Sequence, residues 1–355
     1  MRAMSTDPAA RAISLQAELH HQLLLGLQLM VATRAGPQAS GDWMFRLFRR
    51  QHEEKFLSSF GKLGLDGLPH AVACARYHVL SNAIGGVAVE YMEESDTKAW
   101  VRFRYPRWMY DGAAICGVPL ETSRGFLRGW YAHNGVSLRN PRLGFVCVSE
   151  DMSGQYGLCG YFKEYAHALT EAERLVFAPH ERPPPYDPAQ QPQPPAEDWH
   201  AERLAKAQRN YALDYIRNGL PTLVQTLGRP RALELAKLAA RLTGLQQYRH
   251  LAGAVGAVDG GPRDAAAFLA AMFAGLGDDC RLDDSAAGVR LHHRGLRLLR
   301  GLADEDRADL LACWTELWRG TLHAHRAFMD LRVQASDDGL CWIIDEGRDN
   351  DGVDA

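Results

Sequence analysis

Apolar positions near the start of the chain recur at helical spacing, with Leu15, Leu19, Leu23, Leu27 and Met30 on one broad face. The pattern predicts a helix from about Pro8 to Thr33 and another from Asp42 to Lys62, with Asp42 as its N-cap. A third helix is expected to begin at Pro69 and end at Gly85-Gly86. The period then changes to two: Val87, Val89 and Tyr91 face one way, Ala88, Glu90 and Met92 the other. After a turn at Glu94-Ser95-Asp96, Val101, Phe103 and Tyr105 alternate with Trp100, Arg102 and Arg104, which predicts a hairpin. A helix over Ser123–His133, stopped by Asn134-Gly135, and two strands, Leu143–Val148 and Leu158–Phe162, close the first half.

The second half repeats this order. Helices are expected over Ala201–Asn218, Arg231–Leu251 and from Pro262 to Gly275-Leu276-Gly277. A hairpin of Asp279–Asp283 and Val289–His293 follows, then a helix over Glu305–Arg319 stopped by Gly320. Strands Phe328–Gln334 and Leu340–Ile344 come last. Landmarks match in order and at a nearly constant offset: Pro69 with Pro262, Trp130 with Trp314, Gly135 with Gly320, and Gly157-Leu158-Cys159 with Gly339-Leu340-Cys341. The fold class expected is α+β, as two tandem modules that are divergent copies, each a helical layer on a small antiparallel sheet. Such copies can pair as a pseudo-two-fold dimer within one chain, or across a homodimer.

Between His180 and His200 stand Pro183, Pro184, Pro185, Pro188, Pro192, Pro194 and Pro195. Prolines at this density exclude a central strand or helix interior and favour an extended spacer. The expected division is therefore a first module over 1–180, a linker over 181–200, a second module over 201–346 and a disordered tail over 347–355.

Composition narrows the function classes. Apolar residues make up 46% and charged residues 23%, enough for a real core, and the formal net charge of -3 supplies no bulk cationic field for nucleic acid or an anionic membrane. No apolar run approaches the length of a membrane span. Leu23–Val31 lacks the short basic lead of a signal peptide, so a soluble, cytoplasmic chain is expected. The seven cysteines form no Cys-x-x-Cys pair, which fits reduced thiols. Phosphate-binding glycine loops and the Gly-x-Ser-x-Gly elbow are absent, which argues against nucleotide enzymes and the common serine hydrolases.

The run from a polar hairpin through Cys313-Trp314 to Asp338-Gly339-Leu340-Cys341-Trp342 resembles the L-2-amino-thiazoline-4-carboxylic acid hydrolase-like family, over roughly Gly219 to Ile344. The resemblance implies hydrolytic opening of a small C–N-containing ring that bears a carboxylate, with Cys313 and Cys341 singled out. The chain departs from the pattern at Trp314, where an acidic residue is expected, and in its extra first half, which keeps only Cys159. A more distant likeness is to vinyl-reductase-like sensor domains, which implies small-molecule binding without turnover.

Candidate chemistry follows. A thiolate of Cys341 or Cys313 attacks an electrophilic carbon if its pKa is lowered, whereas burial makes it an inert core residue. His133 or Glu316 is a candidate general base for water. Arg102 and Arg104, with Arg290 and His292 on the matching strand, offer carboxylate recognition or a solvated face. Trp130, Tyr161, Trp314 and Trp318 form either a pocket wall or the core. His323 and His325 could ligate zinc if extended, but on a helix they diverge. No cofactor is otherwise expected. The reading is a hydrolase of C–N bonds acting on a small carboxylate-bearing substrate, or a non-catalytic binder of one, with the site expected between the copies.

Overall fold

The computed structural model describes residues 8–105, 113–193, 199, 201–285, 288–326, 328–336 and 339–346. The chain is α+β and divides into two compact units. One combines residues up to Leu27 with Arg209–Val224 and the chain from Gly228 onward; the other holds Gln28–Gln208 and Gln225–Leu227.

The unit of residues 28–208 contains the end of α1 (Pro8–Ala35), α2 (Pro37–Lys55), α3 (His70–Ile84), the hairpin β1 (Val89–Ser95) and β2 (Lys98–Phe103), α4 (Leu120–Gly129), the short α5 (Asn134–Ser137), and β3 (Leu143–Ser149), β4 (Cys159–Glu164) and β5 (Leu175–Phe177). Its sheet has the order β1-β2-β4-β3-β5, antiparallel except where β5 runs parallel to β3. The three-residue β5 was not foreseen; it is too short to carry a period. Two further departures concern helix ends. α2 starts at Pro37, a first-turn proline, so Asp42 sits inside the helix and is not its cap. The chain also stays helical through Asn134-Gly135; Gly135 is needed because a Cβ there would lie 2.6 Å from the Leu143 carbonyl.

Helices α2 and α4 pack at backbone distance. A Cβ on Gly125 would stand 2.2 Å from the Gly41 carbonyl, and one on Gly129 2.6 Å from that of Phe45. Ser40 and Thr122 share a 2.8 Å hydroxyl hydrogen bond in the same contact. The inner sheet face meets an aromatic core in which Tyr131, Phe145 and Phe162 pack with ring centroids 4.6 to 5.5 Å apart.

Much of the outer face of this sheet is also apolar. Met92, Trp100, Val146, Val148, Cys159 and Tyr161 form a buried cluster with Ala178. The proline-rich segment, expected as a spacer, is docked here over its described part. Glu181 accepts from the Tyr161 hydroxyl at 3.2 Å. The Gln191 side chain completes the β1 edge, accepting from Tyr91 N–H and donating to the Val89 carbonyl, and Gln190 accepts from Glu93 N–H. Prolines cannot complete a strand edge, so glutamine amides do it for them. Pro194 and Pro195 lie outside the described residues.

The other unit holds the start of α1, most of α6 (Ala201–Leu227), then α7 (Arg229–Val255), α8 (Pro262–Leu276), the hairpin β6 (Asp279–Ser285) and β7 (Gly288–Arg294), α9 (Asp304–His325), β8 (Met329–Ser336) and β9 (Gly339–Glu346). Its sheet order is β6-β7-β9-β8, the order of the first four strands of the other sheet. Helix α6 runs past the expected end at Asn218 and through Pro221. The Thr222 hydroxyl donates to the Asn218 and Gly219 carbonyls in the turn where Pro221 has no N–H to give to the Arg217 carbonyl. Gly320, read as a stop, is buried inside α9, where a Cβ would lie 2.1 Å from the Arg241 carbonyl; Gly244 meets the Leu317 carbonyl at 2.0 Å in the same way. The core stacks Phe273 on Trp314 with Trp342 tilted against it, and Trp342 Nε1–H donates to His293, whose other nitrogen pairs with buried Asp278 at 3.0 Å. No helix among the described residues is long and apolar enough to cross a membrane. The tail at 347–355 lies outside the described residues.

Candidate functional site: an arginine-lined cavity

Within residues 28–208, helix α2 buries Trp43, Met44, Leu47, Phe48 and His52. Its other face presents Asp42, Phe45, Arg46 and Arg49 at i, i+3, i+4 and i+7. That face forms one wall of a cavity of about 730 Å³. Arg128 at the end of α4, His133 in the following 3-10 turn and Val136 of α5 supply a second wall, and Glu171, Arg174, Leu175 and Phe177 a third. The volume falls in the range of small-molecule sites.

Four guanidinium groups thus line the cavity against the carboxylates of Asp42 and Glu171. Arg49 is fixed by α4: its Nε–H donates to the Gly129 carbonyl at 3.0 Å and its Nη2 to that of Arg128 at 3.3 Å. These are orphan carbonyls of a helix C-terminus, where a cation is favoured. Burial lowers the Arg49 pKa, opposed by Glu53 and Glu171. Arg49 and Arg128 both lie over the Phe45 ring, at 5.2 and 5.7 Å. Asp42 accepts from Gln38 at 2.9 Å and faces Arg128 at 3.7 Å. Among the described residues, neither Arg46 nor Arg174 has a carboxylate within ion-pair distance.

His133 is the one predicted catalytic residue that lines this cavity. Its pKa is lowered to about 4, first by burial and then by Arg49 and Arg174, so the ring is neutral at neutral pH. Behind it lies a buried polar chain. His52 Nε2–H donates to Asn134 Oδ1 at 3.0 Å, and Asn134 Nδ2–H donates to His78 Nε2 at 3.0 Å. The His52 and His133 rings meet edge to face with centroids 5.1 Å apart. Trp130, expected as a pocket wall, is buried against His52 and Phe48.

The other predicted residues do not converge with His133. Arg102 and Arg104 both pair with Glu90 on the outer sheet face, at 3.1 and 3.7 Å. Tyr161 belongs to the cluster under the proline-rich segment. Cys159 lies in the same cluster, and burial pushes its thiol up to about 12, with Arg102 opposing.

In the second unit, Cys313 is buried and pushed up to about 12 by burial, which removes it as a nucleophile at neutral pH. It borders an apolar void of about 20 Å³, enough for one water-sized body. Trp314 and Trp318 are core residues, and Trp314 borders the same small void as Cys313. Glu316 is clamped between Arg241 and Arg319, which leaves it no freedom as a general base. His323 and His325 are on helix α9, so their rings diverge and hold no metal together; His325 instead bonds Tyr248 and the Gly260 carbonyl. Among the described residues no group of three or more metal-ligating side chains occurs.

Cys341 and His292 are cross-strand partners. They are directly opposite on β9 and β7, on the outer sheet face, with Arg290 two residues along and Asp283 Oδ2 4.0 Å from His292 Nε2.

Sequence reasoning missed Arg46, Arg49, Arg128 and Arg174. The only local signal was the i, i+3, i+4, i+7 face of α2, which also describes an ordinary solvated helix. Comparison of the chain with known protein families, characterised proteins and solved structures finds no match.

Proposed function

We propose that the chain binds a small carboxylate-bearing molecule in the arginine-lined cavity of residues 28–208. The observation that carries this reading is the excess of guanidinium groups over carboxylates in a concave site with Phe45 and Phe177 on its walls. A guanidinium fork matches a carboxylate, and aromatic rings suit the organic remainder of the ligand. Arg46 and Arg174 are the groups left to receive the anion, because Arg49 is held by backbone carbonyls and Arg128 faces Asp42. The test is titration calorimetry with a panel of small aliphatic and aromatic carboxylates. Arg174→Gln is expected to weaken the best of them by about tenfold or more, the cost of one charge-assisted pair. If no carboxylate binds, or if Arg174→Gln leaves binding unchanged, the reading fails.

The Cys341–His292–Asp283 row favours a second reading, hydrolysis of a C–N bond in such a molecule, in keeping with the family resemblance. In that scheme Cys341 Sγ adds to the electrophilic carbon and His292 takes the thiol proton. The proton passes to the leaving nitrogen, and water then cleaves the thioester or thioimidate. Arg290 on the same face would hold the carboxylate. Turnover of cyclic amidines or carbamoyl amino acids that is lost in Cys341→Ala and kept in Cys159→Ala would support it; turnover unaffected by Cys341→Ala would remove it. We also infer that the units descend from one duplicated module, a reading supported by the shared strand order and by Cys159 and Cys341 at matching register positions.

A further inference from the structure

We propose that the ligand of the arginine-lined cavity carries a hydrogen-bond donor beside its carboxylate, as in a 2-hydroxy acid or an N-acylamino acid, and that His133 accepts this donor. The inference rests on the cavity reading above and narrows its ligand class.

Asn134 fixes the proton positions of its two histidine neighbours. Its carbonyl oxygen faces His52 and its amide nitrogen faces His78. An amide oxygen can only accept, so His52 must carry its proton on Nε2. His52 Nδ1 is then a bare lone pair. It is buried, the residue being 1% exposed, and has no hydrogen-bond partner. An unpartnered buried acceptor is costly and rare, and the His133 ring meets the His52 ring edge to face with centroids 5.1 Å apart. The same environment excludes a protonated His52, because burial, His133 and Arg49 hold its pKa down to about 3.

A lone pair beside His133 favours the tautomer whose N–H is turned toward His52. His133 lines the cavity, so its remaining nitrogen carries the lone pair that a ligand there can meet. Neither ring nitrogen of His133 has a hydrogen-bond partner among the described residues. The guanidinium groups around it have donors only. His133 is therefore the neutral acceptor in a wall of cationic donors. A simple carboxylate would satisfy the arginines and leave this acceptor unmet; a ligand with an adjacent O–H or N–H satisfies both. A site built around such a group discriminates against analogues that lack it, since the unmet acceptor stays desolvated.

Mandelate and phenylacetate are suitable probes, because they share a carboxylate and a phenyl ring and differ by one hydroxyl. Calorimetric titration of the intact wild-type protein is expected to give at least about tenfold tighter binding for mandelate, the effect of one buried hydrogen bond. His133→Phe is expected to bring the two acids to near parity while phenylacetate still binds. His133→Gln, whose side-chain oxygen can accept, is expected to restore part of the preference. Equal affinity of the two acids for the wild-type protein overturns the inference and leaves the cavity reading standing. A preference that survives His133→Phe overturns it as well. Failure of both acids to bind overturns this inference, and the cavity reading falls with it when the wider carboxylate panel also fails to bind.

Discussion

The outer faces of the two sheets carry a cysteine at the same place and treat it in opposite ways. Cys159 on β4 lies across from Arg102 of β2, and Cys341 on β9 lies across from His292 of β7. Around Cys159 the face is largely apolar, with Met92, Trp100 and Tyr161 beside the Arg102–Glu90 pair, and the segment from Ala178 onward closes it. Around Cys341 the face carries Arg290, Arg332, Gln334 and Asp283, all exposed, and the cysteine is half-buried. The sheets share an order of strands and a mode of helix packing, so the framework does not set the difference. It comes from what the outward positions of the strands are, and from a docked segment that only one sheet needs. An apolar outer face must be covered, whereas a charged one is stable in water.

The largest contrast is expected in thiol chemistry. In the native protein, iodoacetamide at pH 8 should alkylate Cys341 at least about a hundredfold faster than Cys159, since a buried, protonated thiol is inert. Exposed Cys116 is an internal positive control in the same peptide map. Comparable labelling of the two strand cysteines would mean that the cover over the first sheet is not closed.

Next come the outward residues themselves. Trp100 pairs with Tyr161 in one sheet, and Arg290 occupies the matching place opposite Ile343 in the other. Trp100→Ala is expected to cost about 3–5 kcal/mol in chemical denaturation, as for a large buried ring. Arg290→Ala should stay within about 0.5 kcal/mol, as for a surface change. Similar losses at both would erase the distinction between the faces.

Acid should affect a feature that the units share. Each contains a buried neutral histidine: burial lowers His20 to about 4 and His52 to about 3. Below pH 6.5 the unfolded chain takes up protons that the native state refuses, so their contribution is complete above 6.5 and is lost as pH falls toward 4. The urea midpoint is therefore expected to drop between pH 7 and pH 5, with a shallower drop in His52→Phe. A midpoint that is flat over this range would count against neutral burial. The smallest effect is expected at the strand edge. Gln191→Ala removes two hydrogen bonds to β1, costs about 1–2 kcal/mol and speeds chymotryptic cleavage at Tyr186. Unchanged cleavage would show that the edge contact does not hold the segment.

These contrasts were only partly legible in the sequence. The alternation of the hairpins and the repeated Gly-Leu-Cys strand placed both sheets and both cysteines, because strand periodicity is local. Glycine was misread in a consistent way. Gly135 and Gly320 looked like helix stops, yet each lies where another carbonyl comes within 2.6 Å or less of a would-be Cβ. A breaker and a close-packing glycine have the same local signature, and only the partner element tells them apart. The proline run indicated an extended chain but gave no sign that Gln190 and Gln191 would complete an edge. The cavity was the least legible feature. Arg46 and Arg49 on α2 meet Arg174 from a distant part of the chain, and solvated arginines on separate elements carry no mark of convergence. His133 was identified as a base without its surroundings. Cys313 and Glu316 lost their reactive forms to burial and to ion pairing, neither of which is visible in a linear pattern.

Ligand binding is proposed for the cavity of one unit, and the charged sheet face of the other unit carries different chemistry. One measurement separates these directly: calorimetric titration of phenylacetate into the wild-type protein, the double variant Arg46→Gln/Arg174→Gln, and the double variant Arg290→Gln/Arg332→Gln. The account predicts that the cavity variant loses binding by about a hundredfold or more, two charge-assisted pairs being removed, and that the sheet-face variant matches wild type. Binding that survives the first pair of substitutions and is lost with the second would contradict it.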